Sequence, residues 1–509
     1  MIARPQQPWM LPRHARRLRR VATGRDGRRE RGQKAERHYR SAVCHGAHSL
    51  PGQGWRTTLG ADEPSACCVP RTSPRPRLRR ETMYTERGRP PCGRIRRRPP
   101  ATTRGSAMLE VRGARSDEVD AAIECAGRAF GRDDPERVRG MTDFFSRIHK
   151  HDPYFRPENS RIAVVDGVVA SVVQVFDREI LVQGVPVPLG GIGSVGTDPA
   201  YQRQGLSNKV LEDAAQYMTR RGLVLSSLGT GIHDHYGKVG WQRFEHHAYL
   251  EVGVPAALPE APEGVTIRQT EWASDGDVVA RIHEQFSRGV SGAIHRPKEL
   301  WEAAPRWRGI DPSRRHVAEV GGNVVAYRQD GGHDGDRIDE IGHAEGHVGA
   351  AHALILGFLA AKARGGATSV RIDTTTFGPW VEGLGAEITT GHYGGWMYRI
   401  NDLALLMELL SPAMSCRLAA SDDAGWAGCI SLQTEIGDVS VAVERSGVTI
   451  RRGEPDRQSD ARLVLTHKQA IELILGQVAP ATFAEGSAPS ALDALFPKTE
   501  YRWHSYDGF

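Results

Sequence analysis

The most regular hydrophobic pattern of the chain lies between residues 187 and 221. An apolar run over Val187–Val195 predicts a buried strand, which Pro199 ends. Apolar residues then recur at helical spacing through Asn208–Arg221, with charged and amide side chains on the opposite face. This pattern predicts an amphipathic helix whose apolar face consists of Leu206, Val210, Leu211, Ala214, Ala215 and Met218.

A short basic turn, Gln202-Arg203-Gln204-Gly205, connects this strand to the helix. The first N–H groups of a helix have no partner within it and lie at the positive end of its dipole, so they suit a phosphate. Gly205 has no Cβ to keep an anion from the backbone, and Arg203 adds a charged donor. The turn therefore predicts a phosphate site, although a strand, a glycine turn and a helix are also ordinary α/β structure.

A second motif follows one strand later. The apolar strand Leu223–Leu228 leads through a small-residue turn to Tyr236-Gly-Lys-Val-Gly240-Trp241. Together the two motifs resemble the GNAT superfamily of N-acetyltransferases, whose pyrophosphate loop reads Gln/Arg-x-x-Gly-x-Gly/Ala and whose later element reads Tyr-x-x-x-Gly-Phe. Ser207 replaces the usual small residue of the loop, and Trp241 replaces the phenylalanine.

This resemblance implies acetyl-CoA as co-substrate and no metal. It assigns the protonation of the leaving thiolate to Tyr236, for which a buried aromatic anchoring the helix is the alternative interpretation. In the family the cofactor contacts come from the strand end and the loop, which implies Val195, Thr197, Gln202, Arg203, Gln204, Gly205, Leu206 and Ser207.

The patterning around these motifs predicts a first domain over residues 108–254. We expect a hairpin turned at Asp166-Gly167, because this dipeptide favours the required backbone conformation. We also expect Phe244–Val252 to close the sheet and Pro255–Glu263 to be a linker. The other predicted elements are the strand Leu109–Val111, a helix capped by Ser116, a helix near Glu136–His149, and the hairpin strands Arg161–Val165 and Val168–Phe176.

Residues 265–400 repeat this order of elements without the phosphate turn. At the corresponding place stands Ala344-Glu345-Gly346-His347, which puts an acid where a diphosphate would lie. We expect a degenerate second acetyltransferase-like fold that binds no cofactor; an unrelated α/β module is the alternative.

Residues 401–509 form a third predicted domain. Apolar and polar residues alternate through Gly428–Thr434 and Val439–Val443, and Thr466-His-Lys-Gln469 has capping-box form at the start of a helix. This part resembles a sterol-carrier-protein-like domain. Two acetyltransferase-like folds followed by such a domain resemble the Eis (enhanced intracellular survival) family, which implies a mixed α+β fold class and a homo-oligomer, a hexamer in that family.

The charge of the chain is divided between two regions of opposite sign. Residues 1–107 hold 26 of the 67 Lys and Arg but 7 of the 61 Asp and Glu, so residues 108–509 hold 41 basic and 54 acidic residues, a net of −13. The first region is Arg-rich, with almost no apolar periodicity, and is expected to be disordered. An upstream extension before a true start at Met108, a solvated tail and a polyanion-binding arm are the interpretations left open.

The composition also bears on the compartment. Cys125, Cys416 and Cys429 are the cysteines of residues 108–509, and their odd number without metal spacing is typical of reduced thiols in a cytoplasmic protein. No run approaches the ~20 apolar residues that a membrane span requires.

The general base is assigned by the Eis resemblance rather than by a local pattern. In that family the carboxylate of the last residue enters the active site of the first domain, and this chain likewise ends in an aromatic residue, Phe509. A frayed terminus is the alternative, and His233, Asp234 and His235 are rival bases. Their His-Asp-His sequence is weak as a metal motif because no distant ligand accompanies it.

The acidic body favours cationic acceptors such as polyamines, aminoglycosides or lysine-type amines, and disfavours nucleic acid as a partner. We therefore expect an acetyl-CoA-dependent N-acetyltransferase. The alternative function is a carrier of lipid or another apolar ligand, built around the third domain, with a vestigial first domain.

Overall fold

The structure is a computed structural model that describes residues 108–509, except 247, 309, 333–334, 374–380, 382, 457 and 487. The expectation of a disordered tail over residues 1–107 lies outside the described residues. Among the described residues, no helix is long and apolar enough to cross a membrane.

The first third of the described chain forms a sheet covered by helices on both faces. Its elements are β1 (Leu109–Gly113), α1 (Val119–Gly131), α2 (Pro135–His151), β2 (Ser160–Val165), β3 (Val168–Val182), β4 (Val185–Thr197), α3 (Leu206–Arg221), β5 (Leu225–Gly229), α4 (His233–Gly237) and β6 (Gln242–Arg243). Helix α3 packs through Val210, Leu211 and Ala214 on one face, whereas α1 and α2 cover the other. The predicted hairpin is confirmed, with Asp166 and Gly167 at φ +49° and +84°.

The middle of the chain forms a second sheet of the same plan. This part of the chain comprises β7 (Ala248–Gly253), β8 (Val265–Gln269), α5 (Trp272–Phe286), β9 (Ile294–His295), α6 (Lys298–Arg308), β10 (Arg315–Val320), β11 (Asn323–Gly331), β12 (Arg337–His343), α7 (Val348–Arg364), β13 (Ser369–Ile372), β14 (Ile388–His392) and β15 (Trp396–Ile400), of which β9 and β15 pair with strands of the first sheet. The strand order is β14-β7-β13-β12-β11-β10-β8, with α7 and α5 on opposite faces. Two acetyltransferase-like folds in tandem, as the sequence predicts, account for this arrangement.

The two sheets exchange strands, which corrects one expectation. Phe244–Val252 does not close the first sheet: β7 pairs with β13 and β14 of the second sheet. The first sheet is closed instead by β15, which follows the second fold in sequence and lies between β5 and β6 in the order β1-β2-β3-β4-β5-β15-β6, with β9 on β3. Buried residues alternate along β7, whereas β15 buries Met397 and Tyr398 in succession, and neither pattern tells which sheet the strand joins.

The last part of the chain packs onto the first sheet. It comprises α8 (Leu403–Ala419), β16 (Gly428–Thr434), β17 (Val439–Glu444), β18 (Gly447–Arg452), β19 (Ala461–Leu465), α9 (His467–Ile474) and α10 (Ala491–Leu495). The sheet order is β18-β17-β16-β19, and the predicted capping box at Thr466 and Gln469 is confirmed. Its core is continuous with Ile180 and Leu189 of the first sheet. The likeness to sterol-carrier proteins and the oligomeric state stay predictions.

The strand exchange predicts that the first fold is not independently stable. A fragment of residues 108–254 lacks β15 and therefore leaves β5 and β6 without the strand that joins them. We expect it to show no cooperative thermal transition by circular dichroism, whereas residues 108–509 unfold cooperatively. A cooperative transition of the fragment at the same midpoint would show that the exchanged strand is dispensable.

Candidate active site

Strand β4 separates from β5, its parallel neighbour, part-way along its length. The two strands pair only over Leu189 to Gly191 of β4, whereas β4 continues to Thr197. Its register on β3 jumps between Gly193 and Gly196, and Ser194 has φ +50°, so a β-bulge bends the strand at this point. The bulge leaves a gap between the ends of β4 and β5. On the side of β4 that faces this gap, its backbone N–H and C=O groups have no strand partner.

The predicted phosphate turn lies at the end of this gap. Arg203 and Gly205 both have left-handed backbone conformations, with φ +63° and +76°, and Gly205 is the N-cap residue of α3. A Cβ at residue 205 would meet no atom within 4 Å, so the approach to the N-terminus of α3 is open. The turn is anchored by Asp198, which accepts bonds from Ala200 N and from Arg128 Nε at 2.6 Å.

The other predicted cofactor residues frame this turn. Gln202 Nε2 donates to Thr197 O at 3.2 Å, and the Thr197 hydroxyl bonds to Ser171 at 2.8 Å. Gln202, Arg203, Gln204 and Gly205 are exposed, Val195, Thr197 and Ser207 are half-buried, and Leu206 is buried in the core under α3. The structure thus brings the predicted residues to one place.

Tyr236 lies on α4, just beyond the end of β5. Its side chain is 8% exposed and makes edge contacts with His235 and Trp241, at centroid distances of 5.2 and 6.5 Å. Burial raises the pKa of the Tyr236 hydroxyl, against the opposing effect of a hydrogen bond with Thr230. The phenol therefore stays protonated at neutral pH. Tyr236 is a buried aromatic whose hydroxyl keeps its proton, so the two interpretations do not exclude each other.

The rival bases beside Tyr236 are engaged or exposed. His233 bonds to Gly394 O at 2.8 Å through Nε2 and to Arg243 at 3.0 Å through Nδ1. His235 Nε2 bonds to the Ser207 hydroxyl at 2.9 Å, and burial lowers the pKa of its ring. Asp234 is exposed. With both ring nitrogens of His233 occupied, the sequence His-Asp-His does not form a metal site in this conformation.

The chain end lies against β4, on the face opposite α3. A Cβ at Gly191 would lie 2.6 Å from the ring of Phe509, and one at Gly193 would lie 3.1 Å from its carboxyl carbon. The ring stacks on Phe176 at 5.7 Å, so the terminus is not frayed. Glycine at these two positions of β4 gives the last residue the room it occupies.

A cavity of about 740 Å³ lies next to the chain end, where the parts of the chain meet. Phe144 of α2, Gly229 at the end of β5, Trp396 of β15 and Gly508 contribute to its wall. Trp503, which packs on Trp396 at 4.4 Å, lines it as well. These positions carry no local motif, which is why sequence reasoning missed them.

The second fold supplies the charged wall of this cavity. Asp311, Asp330 and Asp339 line it together with Arg314 and Arg337. Arg337 Nε donates to Asp339 at 2.5 Å, yet burial raises the pKa of the Asp339 carboxyl to about 6. The second fold therefore contributes acidic side chains to the cavity, although it lacks a phosphate turn of its own. Its sequence did not predict this contribution.

Comparison with known proteins identifies the first fold. Residues 110–244 match a family model described as an acetyltransferase (GNAT) domain. The first fold is therefore a GNAT-type acetyltransferase domain, and the chain is an acyltransferase of this type. Comparison with curated proteins gives no significant match.

Solved structures share the fold over most of the described chain. They include a conserved protein of unknown function from Enterococcus faecalis V583, described as a probable N-acyltransferase (18% identity, TM-score 0.59), a GCN5-related N-acetyltransferase from Anabaena variabilis ATCC 29413 (14%, 0.58), and Eis1 from Mycobacterium abscessus (16%, 0.52). Each comparison covers 79% of this chain and 100% of the other. At these identities the likeness shows the fold alone.

The contact between β4 and the last residue predicts the effect of one methyl group. In Gly191→Ala the new Cβ would lie 2.6 Å from the Phe509 ring, well inside the ~3.5–4 Å at which carbon atoms pack, so the chain end must move. We expect carboxypeptidase to release Phe509 faster from this variant than from the wild type. Gly140→Ala, where a Cβ meets no atom within 4 Å, is the matched control. Equal release rates for the two variants would contradict the packing.

Proposed function

We propose that the protein is an acetyl-CoA-dependent N-acetyltransferase that acts on cationic amines, with the Phe509 carboxylate as general base and Tyr236 as general acid. The observation that carries this proposal is the position of the chain end, whose carboxyl carbon would lie 3.1 Å from a Cβ at Gly193, beside the gap in the sheet. The GNAT domain supports the reaction class, and the geometry supports the assignment of roles.

The residues around the gap fit acetyl-CoA. The open N-terminus of α3, with Gly205 and Arg203 before it, suits the diphosphate, and the unpaired edge of β4 suits the amides of a pantetheine chain. When bound, acetyl-CoA supplies an acyl group activated as a thioester. Backbone N–H groups of β4 near Val195 would stabilise the negative charge on the carbonyl oxygen.

Two proton transfers remain for the side chains. A cationic amine has a pKa near ~10 and must lose a proton before it attacks a carbonyl. The Phe509 carboxylate accepts that proton through a water molecule, because a carboxylate is a weak base for direct transfer. The Tyr236 hydroxyl donates a proton to the leaving thiolate, for which its raised pKa keeps it protonated.

The cavity beside the chain end supports a cationic acceptor. Its carboxylates, among them the half-buried Asp339, attract a protonated amine, and Trp396 and Trp503 add aromatic rings that can contact a cation. The net charge of −13 over residues 108–509 adds a long-range attraction of the same sign.

A one-residue extension tests the base directly. Adding a single glycine after Phe509 moves the carboxylate by about one residue length, ~3.5 Å, and buries a neutral amide in its place. We expect kcat to fall by about 100-fold or more while acetyl-CoA affinity, measured by calorimetry, is unchanged. The same glycine at the N-terminus is the control, and Gly205→Glu should instead abolish acetyl-CoA binding. Full activity of the extended protein would exclude Phe509 as the base.

Removal of the Tyr236 hydroxyl tests the acid. Tyr236→Phe keeps the ring in its contacts with Trp241 but cannot donate a proton, so we expect kcat to fall by about 10²–10⁴-fold at unchanged acetyl-CoA affinity. Thiol release in stopped assays measures the rate. An unchanged kcat would reduce Tyr236 to a packing residue.

The pH dependence of acceptor binding tests the role of Asp339. Because the pKa of Asp339 is raised to about 6, its carboxylate is charged at pH 7.5 and mostly neutral at pH 5, whereas a cationic amine keeps its charge over this range. We expect KM for the acceptor to rise by roughly tenfold on acidification, corresponding to ~1.5 kcal/mol for a hydrogen bond to a charged group. Asp339→Asn should have the high KM at both pH values. If KM of Asp339→Asn rose on acidification as much as that of the wild type, a group other than Asp339 would cause the effect.

A further inference from the structure

A buried ion network lies behind the chain end and joins it to the second fold. The Arg296 side chain is 0% exposed and donates to Asp507 Oδ1 through Nε at 2.5 Å. It also contacts both oxygens of Glu340, on β12, at 3.0 and 2.8 Å. The carboxylates of Glu340 and Asp507 are 1% and 2% exposed, so all three charges are withdrawn from water.

Aromatic and polar neighbours hold the guanidinium in one orientation. The Arg296 guanidinium contacts the rings of both Trp301 and Tyr506, at 4.6 and 4.3 Å from their centroids. The Tyr327 hydroxyl and His283 Nδ1 also bond to Glu340, through its Oε1. A charged group surrounded in this way cannot move without leaving an unpaired charge in the protein interior.

The same neighbourhood contains the one group of metal-ligating side chains found in the described residues, His283, Glu340 and His504. Its ligand atoms lie within 4.8 Å of one another. Arg296 already lies next to both oxygens of the Glu340 carboxylate, and its fixed positive charge disfavours a metal ion bound to the same carboxylate. The cluster therefore serves an internal ion network.

The network is placed to fix the last residue. Asp507 stands two residues before Phe509, and Tyr506 before it is also buried against the network. We propose that Arg296, held by Glu340, is the positioning residue that sets the place of the Phe509 carboxylate through Asp507. This inference rests on the proposed role of that carboxylate as general base, and it gives the second fold a function in the reaction of the first.

A double-mutant cycle tests the proposal on the full chain. The variants are Asp507→Asn, the one-glycine extension after Phe509, and both together. We expect Asp507→Asn to lower kcat by about 100-fold, the loss typical of a 1 Å misplacement, with acetyl-CoA affinity unchanged. Because Asp507 acts through the terminal carboxylate, the double variant should be no slower than the extension alone. If Asp507→Asn does not fold, Arg296→Lys, which keeps a buried cation, replaces it.

A matched control separates two effects of Asp507→Asn: loss of the position of the Phe509 carboxylate, and loss of an ion pair in general. Glu500→Gln breaks a pair with Arg502, 2.8 Å long, within the same segment of chain but outside the network of Arg296, Glu340 and Asp507. We expect its kcat within about twofold of the wild type, because a partly exposed pair contributes little.

The outcomes distinguish the two ideas. An unchanged kcat for Asp507→Asn, or a double variant whose losses multiply, overturns the positioning role while leaving Phe509 as the base. An extension that leaves kcat unchanged overturns the base itself, whatever Asp507→Asn does.

Discussion

The divergence of β4 from β5 is the feature on which the site depends. Parallel pairing ends at Gly191, and the bulge at Ser194 turns the rest of β4 away, so that the edge of a buried strand is open to a ligand. The phosphate turn lies at the end of the opened strand, and Tyr236 lies beyond the end of β5. Without the bulge, β4 could continue beside the last residues of β5, Leu228 and Gly229, and the gap would close.

The second constraint is that no part of the chain completes the site alone. The first sheet takes β15 from beyond the second fold, and the cavity takes its acids from β11, β12 and the segment before β10. The last residue returns to the first sheet across both folds, where glycines at positions 191 and 193 receive it. The degenerate fold that lacks a phosphate turn thus contributes charged side chains to the cavity and, in the proposed network, the anchor of the chain end.

The sequence predicts local features well and long-range ones poorly. The turn at Gln202–Ser207, the hairpin at Asp166-Gly167 and the capping box at Thr466 each depend on neighbouring residues, and each occurs as predicted. Helix α8 is missing from the prediction because it is buried on several sides and contains Pro412, so no amphipathic pattern marks it. Helix α6 is also missing from the prediction, because Pro305 inside it argues against a helix.

The exchange of β7 and β15 illustrates the other limit. Alternation along a strand tells which face is buried, but not which of two similar sheets receives it. The network of Arg296, Glu340 and Asp507 is likewise assembled from three distant positions, none of which carries a motif.

A crystal structure with a bisubstrate analogue, in which coenzyme A is joined covalently to a cationic amine, tests the account most directly. The account predicts the diphosphate at the N-terminus of α3, the sulfur beside the Tyr236 hydroxyl, and the amine nitrogen within about 3.2 Å of the Phe509 carboxylate or joined to it by one water. An amine directed toward Asp234 or His235, with the chain end displaced from Gly193, would contradict it.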